Sequence, residues 1–290
     1  MQRLGRRGGP LAAASGANSI AIGPSATASG SVSIAIGSDT DAGGISSTAL
    51  GSSTSAHGDY STALGNFTTA SGAYSTAMGF GSGAGGAHST AMGYVTLASG
   101  DYSTAMGANA GSNGFSHSFI YSDNSNSAAT SNTANNQFMV RASGGFVFYT
   151  STDTTTGATL PNGSGSWSAL SDRNAKDSVR QVDTLNVLER VVSIPLSTWR
   201  YKTQDPKYRH MGPMAQDFYA AFQLGESDTG IDTVDADGVA LAAIQGLNAK
   251  VNEQNKEIAS LRADLAEIKH QLAVAARSQT NDVIVASAPH

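Results

Sequence analysis

One pattern of small apolar and polar residues repeats along about the first 120 residues of the chain. A pentad of Ser, Ile or Thr, Ala, then Ile, Leu or Met, and Gly begins at Ser19 and recurs every fourteen residues up to 103–107. A second glycine keeps the same spacing from Gly16 to Gly100, and Gly114 continues it once more. Two glycine series in step indicate a repeat architecture.

Fourteen residues suit one coil of a β-solenoid. Each coil has room for two short strands of about four to five residues, joined by two bends. A recurring bend needs a positive φ or a close backbone approach, and glycine permits both. We expect each coil to bury an Ala and an Ile, Leu or Met. Because so thin a core stabilises a single chain poorly, association of several chains is expected.

The pattern changes after the repeats. Residues 122–136 are rich in Ser, Asn, Ala and Thr and are typical of a linker. Residues 138–141 and 146–149 alternate as strands around Gly144-Gly145, which predicts a β-hairpin. Beyond Ser171 the charge density rises. Helical spacing predicts helices over 185–192 and 214–222, with a strand over 196–201 between them.

Heptad spacing dominates the last segment and predicts a coiled coil. Two series of core positions run in parallel: Ile244, Val251, Ile258, Leu265 and Leu272, and Leu247, Gln254, Leu261, Ile268 and Ala275. Gln254 is the one polar core position. This mixture of core residues does not fix the number of strands.

Composition excludes several classes of function. The net charge of −5 gives no reason to expect nucleic acid as a partner. The absence of cysteine excludes disulfides, thiolate metal sites and Cys nucleophiles. No apolar run approaches the roughly 18 residues of a membrane span. The apolar stretch at 11–14 is too short for a signal peptide, so residues 1–14 are an unassigned leader.

The repeats resemble a known family. Residues 19–23, followed by Ala28-Ser29-Gly30, are similar to the head of YadA-type trimeric autotransporter adhesins, and the resemblance covers about 15–121. It implies a left-handed parallel β-roll, a homotrimer, and a cell-surface, matrix or glycan ligand of unknown identity. Those adhesins end in a membrane β-barrel anchor. This chain ends in heptads and a short tail, so we expect no anchor of its own.

A second resemblance begins at Ser171. Taken alone, Ser171-Asp172 ahead of a helix is typical of an N-cap, and Lys176 of a solvated surface charge. The Ser-Asp-x-x-x-Lys run, the segment 209–217 and the helix start near 237 resemble, in order, the peptidase S74 domain of phage endosialidases and other tailspikes. The match runs over 171–275. It implies an intramolecular chaperone that assists a trimeric fibre to fold and is then cut off.

The resemblance also assigns roles. Carried over, Ser171 is the nucleophile, Lys176 is its base, and the scissile bond is Leu170–Ser171. Because a free lysine is protonated at neutral pH, Lys176 would need desolvation or a nearby cation, such as Arg173 or Arg209. We therefore hypothesise that cleavage awaits the assembled trimer.

Two further residues are candidates around this pair. Asp172 is expected to cap the following helix. His210 has two interpretations: it orients the pair or donates to the oxyanion, or it is a structural histidine beside a Gly-Pro turn.

Other signals are rejected or kept as alternatives. A GxGxxG run at 81–86 lies inside the repeat with no helix after it, so no cofactor is predicted. The three head histidines, His57, His88 and His117, differ in repeat phase, so no metal site is predicted. A threonine row at positions 48, 62, 76, 90 and 104 leaves ice binding as a minor alternative. Ile20 and Ile34 at the equivalent sites favour an interface or core.

The predicted fold class is mixed: an all-β parallel β-roll, then an α+β domain ending in a coiled coil. The predicted segments are leader 1–14, head 15–121, linker and hairpin neck 122–170, S74 domain 171–243, coiled coil 244–277 and tail 278–290. The expected protein is a self-cleaving trimeric fibre on a bacterial surface or outside the cell. A phage tail fibre with the same chaperone is the alternative.

Overall fold

The computed structural model of the protein describes residues 12–286, with side chains up to residue 275. The chain divides into two compact units. The first ends at Leu170 and the second begins at Ser171.

A parallel β-solenoid forms most of the first unit. Odd-numbered strands make one nine-stranded sheet, and even-numbered strands make another, here called the short-strand and long-strand sheets. In chain order the strands are β1 Ala13–Ala14, β2 Ile20–Ile22, β3 Thr27–Ala28, β4 Ile34–Ser38, β5 Asp41–Ala42, β6 Thr48–Ser52, β7 Ser55–Ala56, β8 Thr62–Asn66, β9 Thr69–Ala70, β10 Thr76–Phe80, β11 Gly83–Ala84, β12 Thr90–Tyr94, β13 Leu97–Ala98, β14 Thr104–Ala108, β15 Ala110–Gly111, β16 Phe119–Ser122, β17 Thr130–Ser131 and β18 Phe138–Arg141. The predicted β-solenoid is confirmed.

The core of the solenoid consists mainly of small side chains. Each full coil buries two alanines, such as Ala35 and Ala42, together with hydroxyl residues such as Ser33. The large side chain of the pentad was expected inside, and that prediction is wrong: Ile22 and Leu50 are 37% and 40% exposed. Because alternate strand residues face opposite ways, an inward alanine turns both of its neighbours outward.

Glycine is required where successive coils approach each other. At Gly65 the backbone has φ +127°, and an added Cβ would overlap the carbonyl oxygen of Gly79 on the next coil. In the second series, Gly58 lacks a positive φ, yet a Cβ would overlap the Gly72 carbonyl. The two glycine series therefore have different causes. The series of Gly65 requires both a positive φ and the absence of a Cβ. The series of Gly58 requires only the absence of a Cβ.

One residue is inserted near the end of the repeats. The Cβ position of Gly100 meets the carbonyl of Phe115, and Thr104 pairs with Phe119, fifteen residues away. Gly114 keeps the fourteen-residue spacing in the sequence, but in the structure Phe115 lies where the next glycine of this series would lie. The solenoid also runs on to β18, past the predicted head boundary at 121.

Five aromatic rings stack along one turn of the solenoid, and we call them the aromatic row. They are Tyr60, Tyr74, His88, Tyr102 and His117, all with φ between 55° and 59°. Neighbouring ring centroids lie 4.8–5.0 Å apart with nearly parallel planes. The inserted residue brings His117 into the column of His88, so the prediction that the three histidines occupy different phases is wrong for this pair. The third histidine, His57, lies outside this column and contacts Asp41.

We expect Tyr74→Ala to destabilise the solenoid by about 1–3 kcal/mol, because each aromatic pair contributes about 0.5–1.5 kcal/mol beyond burial. Tyr74 stacks on both Tyr60 and His88. The left-handed backbone costs alanine as much as tyrosine, so the variant gains nothing in return. Chemical unfolding measures the change. Ser46→Ala, in the same column without a ring partner, is the control, and equal effects of the two changes would contradict the stacking account.

The end of the solenoid is tied by a polar cluster. The guanidinium of Arg141 lies beside Asp123 and donates to three carbonyls of the loop 123–128. Hydrogen bonds from the Ser125 hydroxyl and the Ser143 backbone hold the pKa of the Asp123 carboxyl well below its usual range. These contacts fix the loop to the last solenoid strand.

A three-stranded antiparallel sheet follows, and we call it the neck sheet. It consists of β19 Gly145–Tyr149, β20 Gly157–Pro161 and β21 Ser168–Ala169. The predicted pairing of 138–141 with 146–149 is therefore wrong. The first of these segments is β18, which pairs in parallel with β16, and the chain changes sheets at the glycine pair.

The second unit is a small α+β arrangement with a long helix. Its elements are a single 3₁₀ turn Arg173–Ala175, α1 Thr184–Ser193, β22 Ser197–Trp199, β23 His210–Gly212, α2 Ala215–Phe222 and α3 Thr233–Ala286. The predicted helices and strand are confirmed. At Gly246 an added Cβ would overlap the carbonyl of Thr184, so this glycine permits the close contact between α1 and α3.

Helix α3 carries the predicted heptads along its exposed surface. Ile244, Val251 and Leu261 are between 43% and 62% exposed. The coiled coil itself stays a prediction. Among the described residues, no helix combines the length and the apolar character that a bilayer crossing requires.

Candidate functional site

A short turn shapes the start of the second unit. The side chain of Asp172 accepts hydrogen bonds from the backbone and side-chain nitrogens of Asn174, at 2.9 and 3.1 Å. The predicted cap is thus confirmed, on a 3₁₀ turn. At its end the Lys176 N–H donates to the Arg173 carbonyl at 3.2 Å. This turn folds the chain back, so that residues five apart can meet.

The turn brings together the two residues that sequence singled out. Lys176 Nζ donates to Ser171 Oγ at 2.6 Å. Both residues are exposed to solvent in the single chain. A hydroxyl next to an amine is the arrangement by which a serine is activated as a nucleophile, provided that the amine is neutral.

The residue before Ser171 belongs to the first unit. Leu170 follows β21 directly, and its N–H donates to the Gly157 carbonyl at 3.1 Å. The bond between Leu170 and Ser171 is therefore the junction of the two compact units.

The remaining predicted site residues lie elsewhere. His210 makes a 3.0 Å hydrogen bond through Nε2 to the side-chain oxygen of Gln204, and its ring lies 4.8 Å from that of Trp199. Arg209 donates to the backbone and hydroxyl oxygens of Thr198. These contacts join residues of β22 and β23 and the loop between them. No contact joins His210 or Arg209 to the Ser171–Lys176 pair in the part of the chain that the structure describes.

Sequence reasoning missed Gly157 and the aromatic row. The sequence around Gly157 gives no local sign that this glycine contacts Leu170. The aromatic row did leave a signal, because Tyr60, Tyr74 and Tyr102 keep the fourteen-residue spacing one position before the pentad.

An apolar groove of about 440 Å³ lies within the second unit. It is lined by the start of α1, the end of α2 and the first turns of α3, and includes Val187, Phe222 and Val239. Neither Ser171 nor Lys176 lines it. Across the described residues, no three His, Asp or Glu side chains gather closely enough to hold a metal ion.

Two family models match the chain. The YadA head domain repeat matches residues 14–40, 42–68, 56–82 and 84–110. The Peptidase S74 model, described as the chaperone of endosialidase, matches residues 171–224. The predicted order of modules is confirmed. A comparison with curated proteins finds no match.

The limits of the S74 match agree with the structure at one end. It begins at Ser171, where the second compact unit also begins. It ends just after α2, so it contains both members of the Ser171–Lys176 pair, while α3 lies beyond it. The YadA repeats cover the solenoid up to the inserted residue.

Proposed function

We propose that this chain is a trimeric surface fibre whose C-terminal domain is an intramolecular chaperone that cuts itself off between Leu170 and Ser171. One observation carries the proposal: the 2.6 Å contact between Lys176 Nζ and Ser171 Oγ. It lies within a match to a peptidase family, at the junction of two compact units.

The outer face of the long-strand sheet supports a trimer. The fourth pentad position forms one in-register apolar row, and an adjacent row carries isoleucine and threonine. Members of the apolar row are Ile22, Ile36, Leu50, Leu64, Met78, Met92 and Met106. Continuous exposed apolar surface of this kind is typical of a protein interface. The partners that fit a repeating row best are further copies with the same repeat.

The heptads of α3 also support self-association. Their apolar side chains are exposed in one chain, and parallel copies would bury them along a common seam. Sheet and helix therefore each provide a surface for self-association, one on either side of the scissile bond in sequence.

The cut follows from ordinary serine chemistry. Ser171 Oγ bonds to the carbonyl carbon of Leu170 while its proton passes to the neutral amine of Lys176. The amide bond then breaks as Lys176 returns the proton to the nitrogen of Ser171, which leaves an ester. Water hydrolyses the ester, giving a Leu170 carboxylate and restoring the Ser171 hydroxyl.

Assembly of the fibre regulates when the cut occurs. A solvated lysine is protonated at neutral pH and cannot accept a proton. Burial disfavours the charged form, so copies of the chain that cover Lys176 would favour the neutral amine. The cut then occurs after the fibre has formed, and release of the chaperone makes assembly hard to reverse.

We expect Lys176→Arg to remain uncut. Arginine keeps the positive charge and the hydrogen-bond donors but cannot be deprotonated in proteins, so it cannot act as a base. Denaturing gels of the purified chain measure the cut fraction. Lys207→Arg, at an exposed lysine near Asp205, is the matched control and should cut normally. Normal cutting of Lys176→Arg would exclude Lys176 as the base.

Both matched modules favour a location on a surface or outside the cell. A bacterial surface fibre is the reading that the head repeats support. A phage tail fibre with the same chaperone remains the alternative that the S74 match supports.

A further inference from the structure

The neck sheet holds the residue that is cut. Strand β21 pairs with β20 through Ala169 opposite Ala158, and the next residue, Leu170, donates its N–H to the Gly157 carbonyl. The backbone of Leu170 therefore continues the strand direction up to the scissile bond. The hydrogen bond to the Leu170 N–H restricts the extended backbone just before the attacked carbonyl, which lowers the entropy cost of attack.

Only glycine fits at position 157 in β20. Its φ is +155°, and an added Cβ would overlap the carbonyl oxygen of Phe148 on β19. Any side chain there must separate β20 from β19 or rotate the Gly157 carbonyl. Either movement alters the acceptor of the Leu170 N–H.

The neck sheet is apolar on both faces. Phe148 packs near Trp167 at 5.7 Å between ring centroids on one face, while Val147 and Tyr149 point to the other. All four side chains are 53–57% exposed in the single chain. A three-stranded sheet of this size needs burial to be stable, and apolar residues on both faces call for cover on both.

Further copies of the same chain fit this requirement. The sheet follows the end of β18, the last strand of the sheet whose apolar row we assign to the trimer interface, after only three residues. A trimer interface continued along the chain would thus meet the neck aromatics next.

We propose that Gly157 is a positioning residue for self-cleavage, and that the neck sheet aligns the scissile bond once copies of the chain cover its aromatic faces. The inference rests on the proposed self-cleavage. It adds a second requirement for assembly, the covering of the neck sheet on the N-terminal side of the cut. This requirement is independent of the environment of Lys176.

The direct test is Gly157→Ala in the full-length chain. We expect cleavage to slow by about 10- to 100-fold, since small misplacements of reacting groups cost about that much. The oligomeric mass, measured by light scattering, should stay that of the wild type. Gly163→Ala is the control: it also has a positive φ, +71°, but no atom within 4 Å of the added Cβ. Wild-type cleavage rates in Gly157→Ala would overturn the positioning role.

A second measurement does not depend on cutting. In the uncut Ser171→Ala background, the Leu170 amide should be protected from hydrogen exchange, and Gly157→Ala should remove that protection. An unprotected amide in the background itself would overturn the inference. If wild-type protein stays intact while the amide is protected, the proposed function fails but the anchoring of Leu170 stands.

Fluorescence tests the covering of the aromatic faces. With Trp199→Phe, the chain retains Trp167 as its single tryptophan. We expect its emission in the assembled protein to be that of an indole shielded from water. Emission of a fully hydrated indole would overturn the covering by further copies.

Discussion

The Ser171→Ala variant is expected to accumulate as an uncut chain of 290 residues, whereas the wild type ends as fragments 1–170 and 171–290. Alanine lacks the oxygen that attacks Leu170. Loss of the nucleophile in a serine protease lowers kcat by about 10⁶-fold. The cut is an intramolecular, first-order step, so its rate constant should fall by a similar factor. We therefore expect no cleavage product on a denaturing gel.

Ser260→Ala is the matched control for this result. Ser260 is an exposed serine of α3, outside both the neck sheet and the predicted heptad core positions, and should not affect cutting. Light scattering should show the same oligomer for both variants before denaturation. Fragment 171–290 from the Ser171→Ala chain would mean that another group supplies the nucleophile.

The Gly65→Ala variant is expected to lose about 4 kcal/mol or more of solenoid stability, in the range of the most severe single changes. Alanine is strained at φ +127°, and its Cβ would overlap the Gly79 carbonyl. The two coils must then separate, which breaks the backbone hydrogen bonds between β8 and β10. Thermal unfolding should show a midpoint about 10 °C lower.

Gly85→Ala separates this effect from the general cost of replacing glycine. An added Cβ at Gly85 meets only atoms of Ser99 and Ser71 at 3.8 and 3.9 Å, which is ordinary contact. We expect a change within about 1 kcal/mol, because alanine at an unstrained site also reduces the entropy of the unfolded chain. Equal losses at the two positions would contradict the account of the glycine series.

Much of the solenoid could be predicted because glycine spacing reports backbone geometry directly. Gly65 and Gly58 recur where one coil must approach the next, and no other residue fits there. The orientation of the pentad was harder to predict. Ile22 and Leu50 are apolar, but sequence does not separate side chains buried within a chain from those available to another chain.

Errors arose where the register changes. A single inserted residue before Phe115 moved His117 into the column of His88, and counting in fourteens could not detect it. The strand at 138–141 was assigned to a hairpin because its neighbour in sequence also looked like a strand. Its partner, β16, is nineteen residues earlier, and such pairings leave no local pattern.

The candidate site was predictable only in part. Ser171 and Lys176 alone look like a cap and a surface charge, and resemblance to a family was needed to select them. The structure adds the turn at Asp172 that brings them within 2.6 Å. It also adds the contact of Leu170 with Gly157, which depends on how the three strands of the neck sheet pair.

The mass of the purified wild-type protein, measured after denaturation, tests the central claim most directly. The account predicts two species, one that ends at Leu170 and one of residues 171–290 with a free amino group on Ser171. Protein that assembles and still shows only the full-length mass of 29.5 kDa would contradict self-cleavage. A fragment that begins at any residue other than Ser171 would contradict the assigned bond.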